Sequence, residues 1–343
     1  MSRLLLLGGL LAVLLLVPAS AQATLVFQRG AIPSWVWVAE DDGTGQRLLA
    51  AGHDPRISPD GATVAYGSPY TRRVQRLLVI PAAGGEPRAL LRNWSAGAFF
   101  GVFAWSPDST TIATTVGPEI GRQTLVLVDV ATGATRRIAT GYFYGAGFSP
   151  DGTQLVYGRK TSDRLWGRSD VWVVPVAGGE PRRLTTHGHA LYPVWGPTQI
   201  AYTRWSRPTG RHRHDDGPKY HLWLMAPDGS GQRRLTRGRI PWLLTGLVPV
   251  AWSADGTRLL AQFGGQDTSY PVAVDPATGA QRRIGPRRAY AIGVAGLSSD
   301  GTTVLAYDGL FDEPRRSNVI AIPYDGTRAT VLARRAALPA WTR

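Results

Sequence analysis

Five of the six histidines of this 343-residue chain lie between His187 and His221, four of them in two alternate pairs, His187-Gly188-His189 and His212-Arg213-His214. Imidazole binds first-row transition metals, so two such pairs could converge on a zinc, nickel, copper or manganese ion. Asp215 and Asp216 adjoin the second pair. The surrounding stretch from 204 to 219 is polar and rich in arginine, which repels a cation and reads as a hydrated insertion. A divalent metal held by His187, His189, His212 and His214 is therefore one expectation, and no other cofactor is indicated.

A second set of residues combines arginine with aromatic rings: Arg237, Arg239 and Trp242, then Arg287, Arg288 and Tyr290, with Tyr142 and Tyr144 further upstream. Guanidinium forks pair with carboxylate or phosphate while rings supply flat contact area, which suits a protein partner or an anionic glycan of the cell envelope. Covalent and nucleotide chemistry lack their usual parts. The chain has no cysteine, no GxSxG elbow, no HExxH pair and no GK-containing phosphate loop. The net charge of +14 would fit nucleic acid, but much of it is repetitive. Arg136-Arg137, Arg182-Arg183, Arg233-Arg234 and Arg282-Arg283 begin the same outer strand in successive repeats, where cations discourage edge-to-edge pairing. Nucleic acid is not an expected partner.

The elements that position these residues are set by a recurring phrase: Ile57-Ser58-Pro59-Asp60-Gly61, Trp105-Ser106-Pro107-Asp108-Ser109, Phe148-Ser149-Pro150-Asp151-Gly152, Trp252-Ser253-Ala254-Asp255-Gly256 and Leu297-Ser298-Ser299-Asp300-Gly301. A degenerate copy stands at Trp195-Gly196-Pro197-Thr198. The spacing of about 45 residues is that of propeller blades, each of which buries its faces against its neighbours. Proline presets φ, aspartate binds nearby backbone and glycine closes the turn, so the phrase joins two strands. Apolar runs such as Thr63 to Tyr66 follow it, and a second hairpin closes around Gly84-Gly85, Thr132-Gly133 or Gly178-Gly179. Each unit thus has four strands, a to d from the channel outward. Leu25 to Phe27, Trp35 to Ala39 and Gln46 to Leu49 read as strands b, c and d without an a strand, which Leu338 to Thr342 would supply. The expectation is an all-β, seven-bladed β-propeller whose terminal strands share the closing blade, with six blades as the alternative count.

These turns, with the Gly-turn-Arg-Leu ending seen in Gly179-Glu180-Pro181-Arg182-Arg183-Leu184-Thr185, resemble the TolB-like propellers, a WD40-like family built of PD40 repeats. The resemblance covers Thr24 to Arg343. It implies the fold, while propellers of this kind serve as binding scaffolds, enzyme accessory domains and occasional lyases. The chain departs from TolB itself, which is expected to place a separate α/β domain before a six-bladed propeller. Prolyl-oligopeptidase relatives carry an α/β-hydrolase domain for which no segment is expected here. A metal-assisted polysaccharide lyase or hydrolase, as in the seven-bladed oligogalacturonate lyases, is the alternative function, although no motif matches theirs residue by residue.

Arg3, the apolar run Leu4 to Val17, Pro18 and the small-residue patterns before Thr24 predict a signal peptide over 1–23 and a propeller domain over 24–343. The mature chain is expected to be a periplasmic or secreted monomer without a membrane span. Strand order puts the a-b and c-d turns at one end and the b-c loops and d-a links at the other. His187, His189, Tyr142, Tyr144, Arg237, Arg239, Trp242, Arg287, Arg288 and Tyr290 all fall in predicted d-a links, which makes that end the expected binding face.

Overall fold

The computed structural model describes residues 24–69, 75–91, 98–118, 121–162, 164, 167–209, 217–265, 268–287, 291–309 and 316–342, with backbone alone for 98–103. Every regular element that spans more than a single residue among them is a β-strand, numbered β1 to β27 along the chain. The strands pair as successive antiparallel meanders of four. Their first strands are β4 (His53–Ile57), β8 (Ala98–Trp105), the second half of β11 (Thr135–Phe148), β15 (Ala190–Trp195), β19 (Leu244–Trp252), β23 (Ile292–Leu297) and β27 (Ala337–Trp341). Each of these packs beside the next in that order, and β27 returns to β4, which makes a ring of seven around a central channel. The remaining meander is composite. Strand β27 pairs with β1 (Leu25–Arg29), matching Leu25 with Trp341 and Val26 with Ala340.

The core explains why the strands read as unbroken apolar runs. Successive side chains of a strand face opposite sides, and both faces of a blade are covered. Val64 and Tyr66 of one strand join Val26, Val36 and Val38 of the composite blade, whereas Ala65 between them joins Ile112, Val116 and Val126 of the following blade. Seven such clusters lie between consecutive blades, and the one containing Leu25, Phe27, Leu305 and Val319 joins last blade to first. Each fully buried leucine or phenylalanine contributes about 1.5–3 kcal/mol.

The turn phrase works through its serine and aspartate. Ser253 Oγ donates to Asp255 Oδ1 at 2.6 Å and accepts from Arg258 N at 3.0 Å, while Thr257 N donates to the same carboxylate at 2.9 Å. The Ser253 hydroxyl, followed by the Thr257 donors, holds the Asp255 carboxyl down at about 2. Gly256 has φ +71°, and Ser109 adopts φ +61° at the same turn position. There the Ser109 hydroxyl accepts a bond from Asp60 N of the preceding blade at 3.1 Å.

The first arginine of each pair reaches across to the next blade. Arg136 Nη2 donates to Pro175 O and Val176 O of the next blade at 2.7 and 2.8 Å. Arg182 reaches Asp228 O at 2.7 Å, Arg233 reaches Pro276 O at 2.8 Å and Arg282 reaches Tyr324 O at 2.8 Å. Arg47 and Arg88 make the same contact to Ala82 O and Val130 O. The second arginine of a pair can turn back onto its own blade. Arg183 lies over Trp172 at 5.9 Å and Arg283 over Tyr270 at 4.2 Å. Beyond the edge protection expected from sequence, these pairs thus carry hydrogen bonds that join neighbouring turns.

Candidate functional site

At the end built from b-c loops and d-a links, the link from Arg237 to Leu243 is exposed to solvent over most of its length. Arg237 and Arg239 are exposed, Trp242 is 48% exposed and Leu243 is 37% exposed with φ +63°. Its base is fixed from below. Lys219, 8% exposed at the start of β17 (Lys219–Met225), donates from Nζ to Pro241 O at 3.0 Å and Leu244 O at 2.7 Å. Gly246 lets the chain pass close to Tyr220, since a Cβ there would stand 2.4 Å from the Tyr220 carbonyl oxygen. The result is a short cationic loop with one large, half-exposed ring on a rigid footing, an arrangement suited to contact with an anionic or amphipathic surface. Arg287 is exposed in the following link, and its carbonyl accepts from Arg283 Nη2 at 3.4 Å. Arg288 and Tyr290 lie outside the described residues.

Tyr142 and Tyr144 are placed differently from expectation. They stand inside a strand, because β11 runs without a break from the outer edge of one blade into the first strand of the next. Gly145, at φ +78°, marks a bulge and not a loop. The Tyr144 ring meets Tyr192 edge-on at 5.6 Å, and Tyr192 meets Tyr220 at 6.2 Å. Burial, ahead of the neighbouring phenols, raises the pKa of all three, so they remain protonated donors at neutral pH. Lys160 Nζ stands 5.9 Å from the Tyr144 ring. Lys219 and Tyr220 were not singled out by sequence, although both sit at the start of a c strand, directly under the exposed link.

The structure brings His187 and His189 together, with ring centroids 6.3 Å apart, and places His189 against Trp205 at 4.3 Å. His187 Nδ1 accepts from His189 N at 3.3 Å. Burial first, and then the charge of Arg204, holds the His187 pKa at about 4, and the same causes lower that of His189. The imidazoles are neutral, as ligands must be, but Arg204 acts on both of them, and Arg168 and Arg207 on His189, in the direction that opposes a cation. Among the described residues no three histidine, aspartate or glutamate side chains gather in a metal-binding group. His212 and His214 lie outside the described residues. The His187 pKa has a measurable consequence. An unfolded imidazole titrates near ~6.5, so between that value and about 4 the unfolded chain binds more protons. The contribution is present above that range and is lost as pH falls through it. Replacing His187 with Gln is expected to flatten the fall in melting midpoint between about pH 7 and pH 5; an unchanged slope would show that His187 does not control it.

No family model matches the chain. A stretch of 151 residues is 28% identical to an uncharacterized protein of Agrobacterium fabrum, covering 42% of this chain and 46% of that protein, so the match spans about half of the relative's length. Among solved structures, the β-propeller domain of the trilobed protease of Pyrococcus furiosus superposes with a TM-score of 0.64 at 11% identity, covering 92% of this chain and 96% of that one. TolB of Acinetobacter baumannii superposes with a TM-score of 0.53 at 16% identity, covering 92% and 81%. An oligogalacturonate lyase in complex with manganese gives 0.56 at 16% identity, covering 92% and 86%. The fold is that of a TolB-like β-propeller. At these identities the likeness is one of fold, shared by a protease domain, TolB and a lyase.

Proposed function

We propose that this chain is an exported, non-enzymatic propeller that binds a protein partner or an anionic ligand of the cell envelope at its b-c and d-a end. The observation that carries the reading is the link Arg237 to Leu243, which presents a half-exposed Trp242 and two exposed arginines on a base clamped by Lys219. Arg287 extends the cationic surface to the next link. Export rests on Arg3, the apolar run Leu4 to Val17 and the small residues before Thr24. The likeness to TolB supports a scaffold role, since a ring of blades offers rigid loops without requiring catalytic groups.

The test is site-specific photocrosslinking in cells of the native host. A benzoylphenylalanine at position 242 is expected to capture a partner or glycan that the same probe at Arg328 does not. Arg328 is exposed in the c-d turn at the opposite end. Changing Arg287 and Arg288 together to Ala should lower capture about tenfold, and raising salt from about 50 to about 500 mM should do the same, because exposed guanidinium-anion pairs are screened. Equal labelling from positions 242 and 328 would mean that net positive charge, and not this face, attracts the partner. Arg182 with Arg183 is not a neutral control, since both side chains hold blade contacts.

A further inference from the structure

The opposite end of the ring holds a cavity of about 570 Å³, lined by Arg56, Trp105, Ala251, Gly296, Tyr307 and Trp341 among others. Its wall follows from the repeat. The residue two places before the turn serine, or before its equivalent, is Arg56, Ala104, Gly147, Val194, Ala251, Gly296 and Ala340 in the seven blades. Six of the seven are small and uncharged, and one is arginine. Five of these positions, Arg56, Ala104, Ala251, Gly296 and Ala340, line the cavity, and the four small ones leave it open. The guanidinium of Arg56 therefore extends into space that no equivalent residue fills.

Arg56 is poorly compensated there. Its Nη1 donates to the neighbouring Pro55 carbonyl at 2.9 Å, and among the described residues no carboxylate lies within ion-pair distance of it. Asp54 acts on it electrostatically, but the Asp54 Oδ2 is engaged by His53 Nδ1 at 3.1 Å. Burial outweighs the influence of Asp54 and Tyr307 and pulls the Arg56 pKa down from its usual value. Trp105, Tyr307 and Trp341 line the same cavity. Tyr307 lies across Gly293, where an added Cβ would stand 2.1 Å from the ring. The indole of Trp105 is fixed by donating to Arg56 O at 3.2 Å, as Trp252 donates to Val194 O at 3.3 Å. Trp341, at the same repeat position, has a buried Nε1 with no acceptor.

We propose that this channel, at the turn end and distinct from the loop face, binds a small carboxylate with a flat apolar body. The carboxylate pairs with Arg56, and the body lies among Trp105, Tyr307 and Trp341. A guanidinium fork matches a carboxylate in two parallel hydrogen bonds, and a pair formed at a partly desolvated guanidinium is screened less than one on the surface. The cavity volume falls in the range of small-ligand pockets, roughly 300–1,000 Å³. The carboxylate can belong to a free small acid or terminate an apolar peptide.

The test uses the mature protein and calorimetric titration with indole-3-acetate, its uncharged amide and N-acetyltryptophan. Indole-3-acetate is expected to bind at least about tenfold more tightly than the amide, a difference a charge-assisted pair can supply. Comparable binding of N-acetyltryptophan identifies a chain terminus as an acceptable source, and its exclusion restricts the site to free acids. Arg56→Ala should abolish the preference for acid over amide while leaving the melting midpoint unchanged or higher, because it removes a desolvated charge. Ala251→Phe, which fills the channel from another blade and keeps Arg56, should block all three probes. The proposal is overturned if acid and amide bind equally, if no probe binds at millimolar concentration, or if Arg56→Ala lowers the melting midpoint as the loss of a structural cation would.

Discussion

A chain lacking Leu338 to Arg343 is expected to lose at least about 5 kcal/mol of stability and to melt about 10 °C or more below the full-length protein. The segment is most of β27, the inner strand of the closing blade. Its removal unpairs the edge of β1 and uncovers Leu25, Val26 and Phe27, all of which have no exposed surface in the closed ring. It also deletes Trp341, which packs on the cluster joining last blade to first. Unlike an ordinary terminal trim, the deletion removes ladder bonds and apolar cover from both flanking interfaces at once. A synthetic peptide spanning 335–343, added in excess, should restore part of the loss by re-forming the strand. An unchanged melting midpoint in the truncated chain would show that the ring does not depend on this closure.

The closure was legible because the repeat is written in residues that act locally. Every complete copy of the turn phrase spells out its own hydrogen bonds, as Ser253 and Asp255 do, so counting phrases counts hairpins. Contacts between repeats were less visible. Arg136 and its carbonyl acceptor Pro175 are separated by 39 positions, and only the regular recurrence of arginine at the start of strand d hinted that each might reach the same place in the next unit. The path through Tyr142 and Tyr144 was misread because glycines at 141 and 145 suggest a loop. Gly141 instead keeps its place in the ladder opposite Gln123, and Gly145 bends the strand. Arg56 was readable in principle, by comparing equivalent positions across the repeats, but only the ring shows that five of those positions line one cavity.

Replacing Asp170 with Ala is expected to cost about 3 kcal/mol, the largest effect of any single carboxylate here, because it strands several buried donors together. Asp170 ends up 5% exposed at the start of β13 (Ser169–Pro175). Its Oδ1 accepts from Thr185 Oγ1 at 2.9 Å and Gly188 N at 3.1 Å, and Arg183 reaches its other oxygen. Thr185 in turn accepts from Val171 N at 3.0 Å. One carboxylate thus ties strand c, strand d and the link carrying His187 and His189, so its loss should also loosen the histidine link. Asp170→Asn keeps an oxygen for Thr185 and Gly188 but gives up the charge facing Arg183, and should cost roughly half as much. The neighbouring blade supplies a natural comparison. His221 occupies the matching position, with Thr236 accepting from Leu222 N at 2.9 Å as Thr185 does from Val171, and burial holds the His221 pKa at about 4. The contrasting variant is Asp325→Ala. That carboxylate also faces two arginines, Arg258 and Arg282, but its side chain is 71% exposed, and such pairs are worth about 0–1 kcal/mol. Denaturant unfolding of the three variants separates the cases. Equal losses at Asp170 and Asp325 would mean that the number of arginine contacts, and not the burial of the donors left behind, decides what a carboxylate contributes to this ring.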